Sequence, residues 1–126
     1  FYLYATLVEM PMSDDCLFCK IIAGEIPSTE VYRDDDVFAF EDINPVAPTH
    51  TLVIPVKHLT DVAAAEEADT ELLGKLVMAA NKIAEKKGLV KEGFRYVINT
   101  GNDGGQTVYH LHLHIFGGRK MNWPPG

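Results

Sequence analysis

Hydrophobic and polar positions alternate most strictly over residues 108–116, where His110, His112 and His114 interleave with Tyr109, Leu111, Leu113 and Ile115. Strict alternation predicts a strand. A strand sends successive side chains to opposite faces, so the three imidazoles are expected on one face, ~6.5–7 Å apart. Four more strands follow from pattern: residues 29–33 and 37–41, 49–55, and 94–99. The first two flank Asp34-Asp35-Asp36, which predicts a β-hairpin. Leu72, Leu73, Leu76, Val77, Ala80, Ile83 and Ala84 fall on one stripe at helical spacing, predicting a long helix over 69–87 that Gly88 ends. Acidic residues crowd its first turn and lysines its last, as the helix dipole favours. Phe18, Ile21 and Ile22 predict a short helix stopped near Gly24, and Thr60 or Asp61 is placed to cap a short helical turn. Pro45 and Pro48 make 42–48 a loop, and residues 100–107 form a glycine-rich one. Strands and helices in this order give an α+β fold with a five-stranded, mostly antiparallel sheet, one long helix and a short N-terminal helix.

Composition narrows the function. The chain has 126 residues, 47% hydrophobic and 23% charged, which suits one domain with a real core. Its net charge of −7 argues against binding long nucleic acid, which needs a basic patch. A small anionic ligand held by local donors is compatible with that charge. No apolar run is long enough to span a bilayer. Cys16 and Cys19 are the only cysteines, too few for a disulfide scaffold, so the expected location is cytoplasmic. Residues 1–11 are apolar without the basic start of a signal peptide, and Met12-Ser13-Asp14-Asp15 reads like a natural beginning. Residues 1–12 are therefore assigned to a disordered or loosely packed extension, native or artificial, and 13–126 to the domain.

Three histidines in register are hard to explain as packing, because each is costly to bury and titrates near neutral pH. Cys16-x-x-Cys19 has three readings: a redox pair, although its surroundings are not thioredoxin-like; two inert buried thiols; or half of a zinc site completed by histidines. The zinc reading is favoured, since histidines are at hand. The acidic triplet at 34–36 reads as a solvated hairpin tip rather than a metal site. The loop Gly104-Gly105-Gln106-Thr107 is either an ordinary turn or a phosphate-approaching one that delivers Thr107 to the histidine strand. His50 and His58, each taken alone, read as structural or solvated residues more readily than as functional ones. A neutral imidazole is a good nucleophile toward phosphorus, provided that one ring nitrogen is free and the other is hydrogen-bonded. The non-bridging oxygens then need donors, which positively polarised groups can supply without magnesium.

His110-x-His112-x-His114, followed by Ile115 and Phe116, resembles the signature of the histidine triad (HIT) superfamily, and the resemblance runs from about Cys16 to Gly126. The ending 117–126, with Trp123-Pro124-Pro125, resembles the Hint branch, the histidine triad nucleotide-binding proteins. The resemblance implies a HIT-like homodimer. It implies His112 as nucleophile and His114 on the phosphate or leaving-group side. Thr107, with the backbone near Gly105 and Gln106, is implied to contact the α-phosphate, with Asn99 in the same network. Asp42 would accept from ribose hydroxyls, Ile43 would cover the base, and Phe18, Ile21 and Ile26 would supply apolar wall. His50 resembles a histidine standing behind the catalytic one.

Zinc-containing relatives imply a metal set of Cys16, Cys19, His58 and His110, four N/S ligands that make a closed structural site. No organic cofactor is implied. The tail, through Trp123, is expected to reach the partner subunit's site, or else to pack on its own subunit. The expected activity is a purine nucleoside phosphoramidase that hydrolyses the P–N bond of adenosine 5′-phosphoramidate or AMP-lysine-type compounds through a nucleotidyl-histidine. The rivals are a diadenosine polyphosphate hydrolase and a nucleotide-binding interaction module with little turnover.

Overall fold

The computed structural model describes residues 15–126; the expectation for residues 1–12 lies outside them. Its elements run α1 (Leu17–Ile22), β1 (Glu30–Arg33), β2 (Val37–Glu41), β3 (Thr49–Pro55), α2 (Thr70–Lys86), β4 (Phe94–Val97) and β5 (Leu113–Gly117), with two 3-10 turns before α2. The sheet order is β1-β2-β3-β5-β4, and every neighbouring pair is antiparallel.

The β1–β2 hairpin forms as its pattern predicts. Its acidic tip is a capped turn: the Asp34 carboxylate accepts from the Asp36 and Val37 N–H groups at 2.8 Å each. Asp61 caps the first 3-10 turn through the Ala64 N–H at 2.9 Å. At Gly88, φ of +73° ends the long helix where an L side chain would be strained.

The sheet is buried on both faces. Val37, Ala39, Val53, Leu113 and Ile115 meet Leu76, Ala80, Ile83 and Ala84 of α2. Phe38, Phe40, Leu52 and Ile54 meet Phe18 and Ile21 of α1 on the other side. Full burial of a large apolar side chain contributes about 1.5–3 kcal/mol, so both helices are held by packing rather than propensity. Ala79 joins the predicted stripe of α2, whereas Val77 is 40% exposed at its margin.

The histidine segment departs from expectation. Only His114 lies on β5; His110 sits in a bend over residues 108–110 and His112 in the irregular chain that follows. The last ladder pair is Val53↔Leu113. Continuing that register would set Leu111 against Pro55, which has no N–H to give. Leu111 instead donates to the Leu59 carbonyl at 2.7 Å. The three imidazoles therefore do not form an even row. The His112 and His114 ring centroids are 4.9 Å apart, while His110 turns into a separate cluster.

Candidate functional site

Two neighbouring arrangements occupy the α1 face of the sheet. The first joins Cys16, Cys19, His58 and His110, whose Sγ and Nδ1 atoms all lie within 4.8 Å of one another. Cys16 Sγ is 3.3 Å from His110 Nδ1, Cys19 Sγ 3.4 Å from His58 Nδ1, and the two Nδ1 atoms are 3.1 Å apart. A tetrahedral zinc with ordinary Zn–S and Zn–N bonds has ligand–ligand edges of about 3.3–3.8 Å. The donor set fits that ion. The tautomer fits as well: His110 Nε2–H donates to the Pro55 carbonyl at 2.8 Å, which leaves a lone pair on Nδ1 toward the cluster. Burial pushes His110 down to about 4 and lowers His58, so both imidazoles are neutral, as ligation requires.

The second arrangement is a cleft of about 670 Å³ between α1, the end of β2 and the histidine segment. Phe18, Ile21, Ile26, Asp42, Ile43, Thr107, His112 and His114 all line it. Ile43 is 90% exposed at its mouth, an apolar side chain standing over an open site.

His112 is fixed from behind. Its Nδ1–H donates to the His110 carbonyl at 2.7 Å, so in the neutral ring the lone pair is on Nε2. Burial lowers its pKa, against the opposing influence of that hydrogen bond and of Asp42.

His114 is oriented by a relay. The Val46 N–H donates to His50 Nδ1 at 3.2 Å, so His50 carries its proton on Nε2. That proton is directed to His114 Nδ1, 2.9 Å away, with Asp42 Oδ2 at 3.3 Å beside it. His114 must then carry its proton on Nε2, and that nitrogen is buried without a hydrogen-bond partner among the described residues. An unsatisfied buried N–H costs about 1–3 kcal/mol. Burial, then the neighbouring His112 and His50, push the His114 pKa down to about 4, so the ring is neutral.

Other predicted residues stand outside the cleft wall. Gln106 spends its carboxamide on the loop: its Nε2 donates to the Thr60 and Val108 carbonyls at 2.7 and 3.1 Å, and its Oε1 accepts from the Gly101 N–H at 2.8 Å. The Gly105 and Gln106 N–H groups are bonded within the same loop, to the Asn102 and Gly101 carbonyls at 3.0 Å each. Asn99 does not line the cleft. His50 lies behind His114 rather than in the wall.

Trp123 is 82% exposed, so little of its ring is covered by the described residues. Sequence pattern alone missed Phe40 and Leu52 as cleft residues. Strand pairing reveals them, since Phe40↔Leu52 and Leu52↔His114 put all three on one face. The Val46 N–H and the Pro55 carbonyl, which set two tautomers, carry no side-chain signal at all.

The HIT domain family model matches residues 23–121. The chain belongs to the HIT family. It is 57% identical over 112 residues to a 14 kDa zinc-binding protein of Zea mays, covering 87% of each chain. It is 50% identical over 124 residues to adenylylsulfatase HINT1 of Arabidopsis thaliana, covering 97% of this chain and 84% of that protein, which makes it a Hint-type member of the family. Among solved structures, a HIT family hydrolase from Legionella pneumophila superposes with a TM-score of 0.87 at 51% identity, over 89% of this chain and all (100%) of that one. Among the described residues, no helix of this HIT protein is long and apolar enough to cross a membrane.

Proposed function

We propose that this HIT protein is a cytoplasmic purine nucleoside phosphoramidase, with His112 as the nucleophile. The observation that carries the reading is the pair of neutral imidazoles at the cleft: His112 with its lone pair on Nε2, and His114 with a buried, unpartnered Nε2–H. One is a nucleophile and the other a donor for an anionic oxygen, the two functions that displacement at phosphorus requires.

His112 Nε2 attacks the α-phosphorus of an AMP amide while the P–N bond breaks. The amine departs with a proton that solvent supplies through the Thr107 hydroxyl. The His110 carbonyl accepts from Nδ1–H and supports the positive charge that develops on the His112 ring. His114 Nε2–H holds a non-bridging oxygen. Water then attacks phosphorus and returns a proton to solvent through the same hydroxyl, the P–N bond to His112 breaks, and AMP leaves with the imidazole restored. Asp42 accepts from the ribose hydroxyls, and Ile43, Phe18, Ile21 and Ile26 enclose the base. Gly105 and Gln106 act by shaping the loop that leads to Thr107.

Cys16, Cys19, His58 and His110 hold a structural zinc, which ties α1 to the histidine segment and takes no part in bond cleavage. The protein works as a homodimer whose partner subunit receives Trp123.

The likeness to the adenylylsulfatase favours a second reading, in which the same residues cleave the P–O bond of adenylyl sulfate. Comparing kcat/KM for AMP-lysine, adenylyl sulfate and diadenosine tetraphosphate on one preparation, with His112→Ala as control, separates the readings. Preference for the phosphoramidate, lost in the variant, is expected. Preference for either other substrate would reassign the leaving group, and turnover of none would leave a nucleotide-binding module.

A further inference from the structure

The tetrad and the cleft share one element. Helix α1 has six residues, too few to hold itself without outside contacts. Its N-cap, Cys16, and Cys19 within it belong to the tetrad, and Cys19 N–H donates to Cys16 Sγ at 3.3 Å. Leu17, Phe18 and Ile21 of the same helix line the cleft. Phe18, which lies between the two cysteines in sequence, sets its ring edge against both His110 and His112, with centroids 5.9 and 5.1 Å away. A second link runs through the backbone. The carbonyl that fixes the His112 tautomer, at 2.7 Å, belongs to His110, whose own ring is in the tetrad.

We propose that occupancy of the Cys16, Cys19, His58 and His110 tetrad and nucleotide binding at His112 are thermodynamically coupled, with Phe18 as the positioning residue between them. The inference rests on the reading of the cleft as a nucleoside monophosphate site. With the tetrad filled, α1 and residues 110–112 are held in the binding arrangement before the ligand arrives. With it empty, weaker contacts hold the four side chains together, the sulfur–nitrogen and nitrogen–nitrogen approaches among them. The nucleotide must then supply the free energy that orders the helix and its Phe18. Coupling of this kind is reciprocal: the factor by which metal tightens nucleotide is the factor by which nucleotide tightens metal.

The test uses the full chain, zinc-loaded and chelator-stripped, titrated with AMP by calorimetry. Zinc affinity is measured with and without saturating AMP by competition against a chromophoric chelator. Stripping is expected to weaken AMP binding at least about fivefold, and AMP to tighten zinc by the same factor. Phe18→Leu keeps an apolar wall but removes the aromatic edge, and should bring both factors toward one.

Cobalt in place of zinc gives a readout that survives if the stripped chain unfolds. Saturating AMP should raise the chelator concentration that half-strips the cobalt, followed by its ligand-field absorption, and an unchanged midpoint overturns the coupling. Equal AMP affinity in the two forms overturns it as well, while leaving the nucleotide site standing. Failure of the loaded chain to bind AMP would overturn both.

Discussion

His50 Nε2 stands 2.9 Å from His114 Nδ1, and the Val46 N–H on the far side of His50 determines which of the two rings donates. The orientation of the His114 proton is thus settled by a main-chain amide two residues removed from the cleft through hydrogen bonds. Replacing His50 by Ala should free the His114 ring to flip or change tautomer. The expected result is a fall in kcat of about tenfold or more, short of the 10²–10³ typical for removing a transition-state donor outright. Steady-state kinetics check it; an unchanged kcat would refute the relay.

His112→Ala should abolish turnover while leaving AMP affinity within a few-fold, because the cleft walls and His114 remain. Rapid-quench labelling with a radioactive AMP amide should show a nucleotidyl adduct in the parent chain and none in the variant. Retained turnover would remove His112 from the role.

One zinc per chain is expected by elemental analysis of protein purified without added metal. Cys16→Ser should lose it and lower thermal stability, since structural zinc contributes folding free energy directly. A metal-free parent chain of full stability would rule out the structural zinc.

Acidification should cost stability through His114. Its pKa is depressed from 6.5 to about 4, so the unfolded chain takes up this proton first as pH falls. The contribution is complete above 6.5 and is lost as pH drops through about 4. His112 and His50 also face the ring and oppose its charge, whereas Asp42 favours it. Denaturant midpoints at pH 7 and pH 4.5 should therefore fall further for the parent chain than for His114→Asn. Parallel losses would show that His114 is not kept neutral by the fold.

Gly118 has φ of +90°, and a Cβ there would meet Pro48 Cβ at 2.7 Å. Gly118→Ala should cost about 1–3 kcal/mol of folding stability through combined strain and overlap. Chemical denaturation measures it, and an unshifted midpoint would mean that the turn readjusts freely.

Side-chain periodicity was a good guide wherever the sheet or α2 determined it, because burial on a face selects residue type at fixed spacing. The β1–β2 hairpin, β3 and α2 fall within a residue or two of their predicted limits. Alternation misled at residues 108–112. There the pattern suits a strand, but the neighbouring strand ends at Pro55 and offers no ladder to continue. Cysteine and histidine chemistry pointed to a half-site at Cys16 and Cys19, while His58 and His110 as its other half came from the resemblance to zinc-containing relatives; the fold brings the four together. The tautomers were not legible, since a backbone amide at 46 and carbonyls at 55 and 110 set them, and any residue type presents those groups. The resemblance implied phosphate contact by the backbone around Gln106, whereas nothing in the pattern announced that its carboxamide closes the loop.

The tail has a consequence for how the site is inherited by an assembly. Arg95 grips the Asn122 carbonyl at 2.9 Å, so the chain is anchored one residue before an indole that its own fold leaves 82% exposed. In the proposed homodimer each catalytic centre is then a joint product of two gene copies. A chain lacking His112 and a chain lacking its last six residues, each defective alone, would restore one complete centre when they pair, and mixing them should return activity that neither possesses.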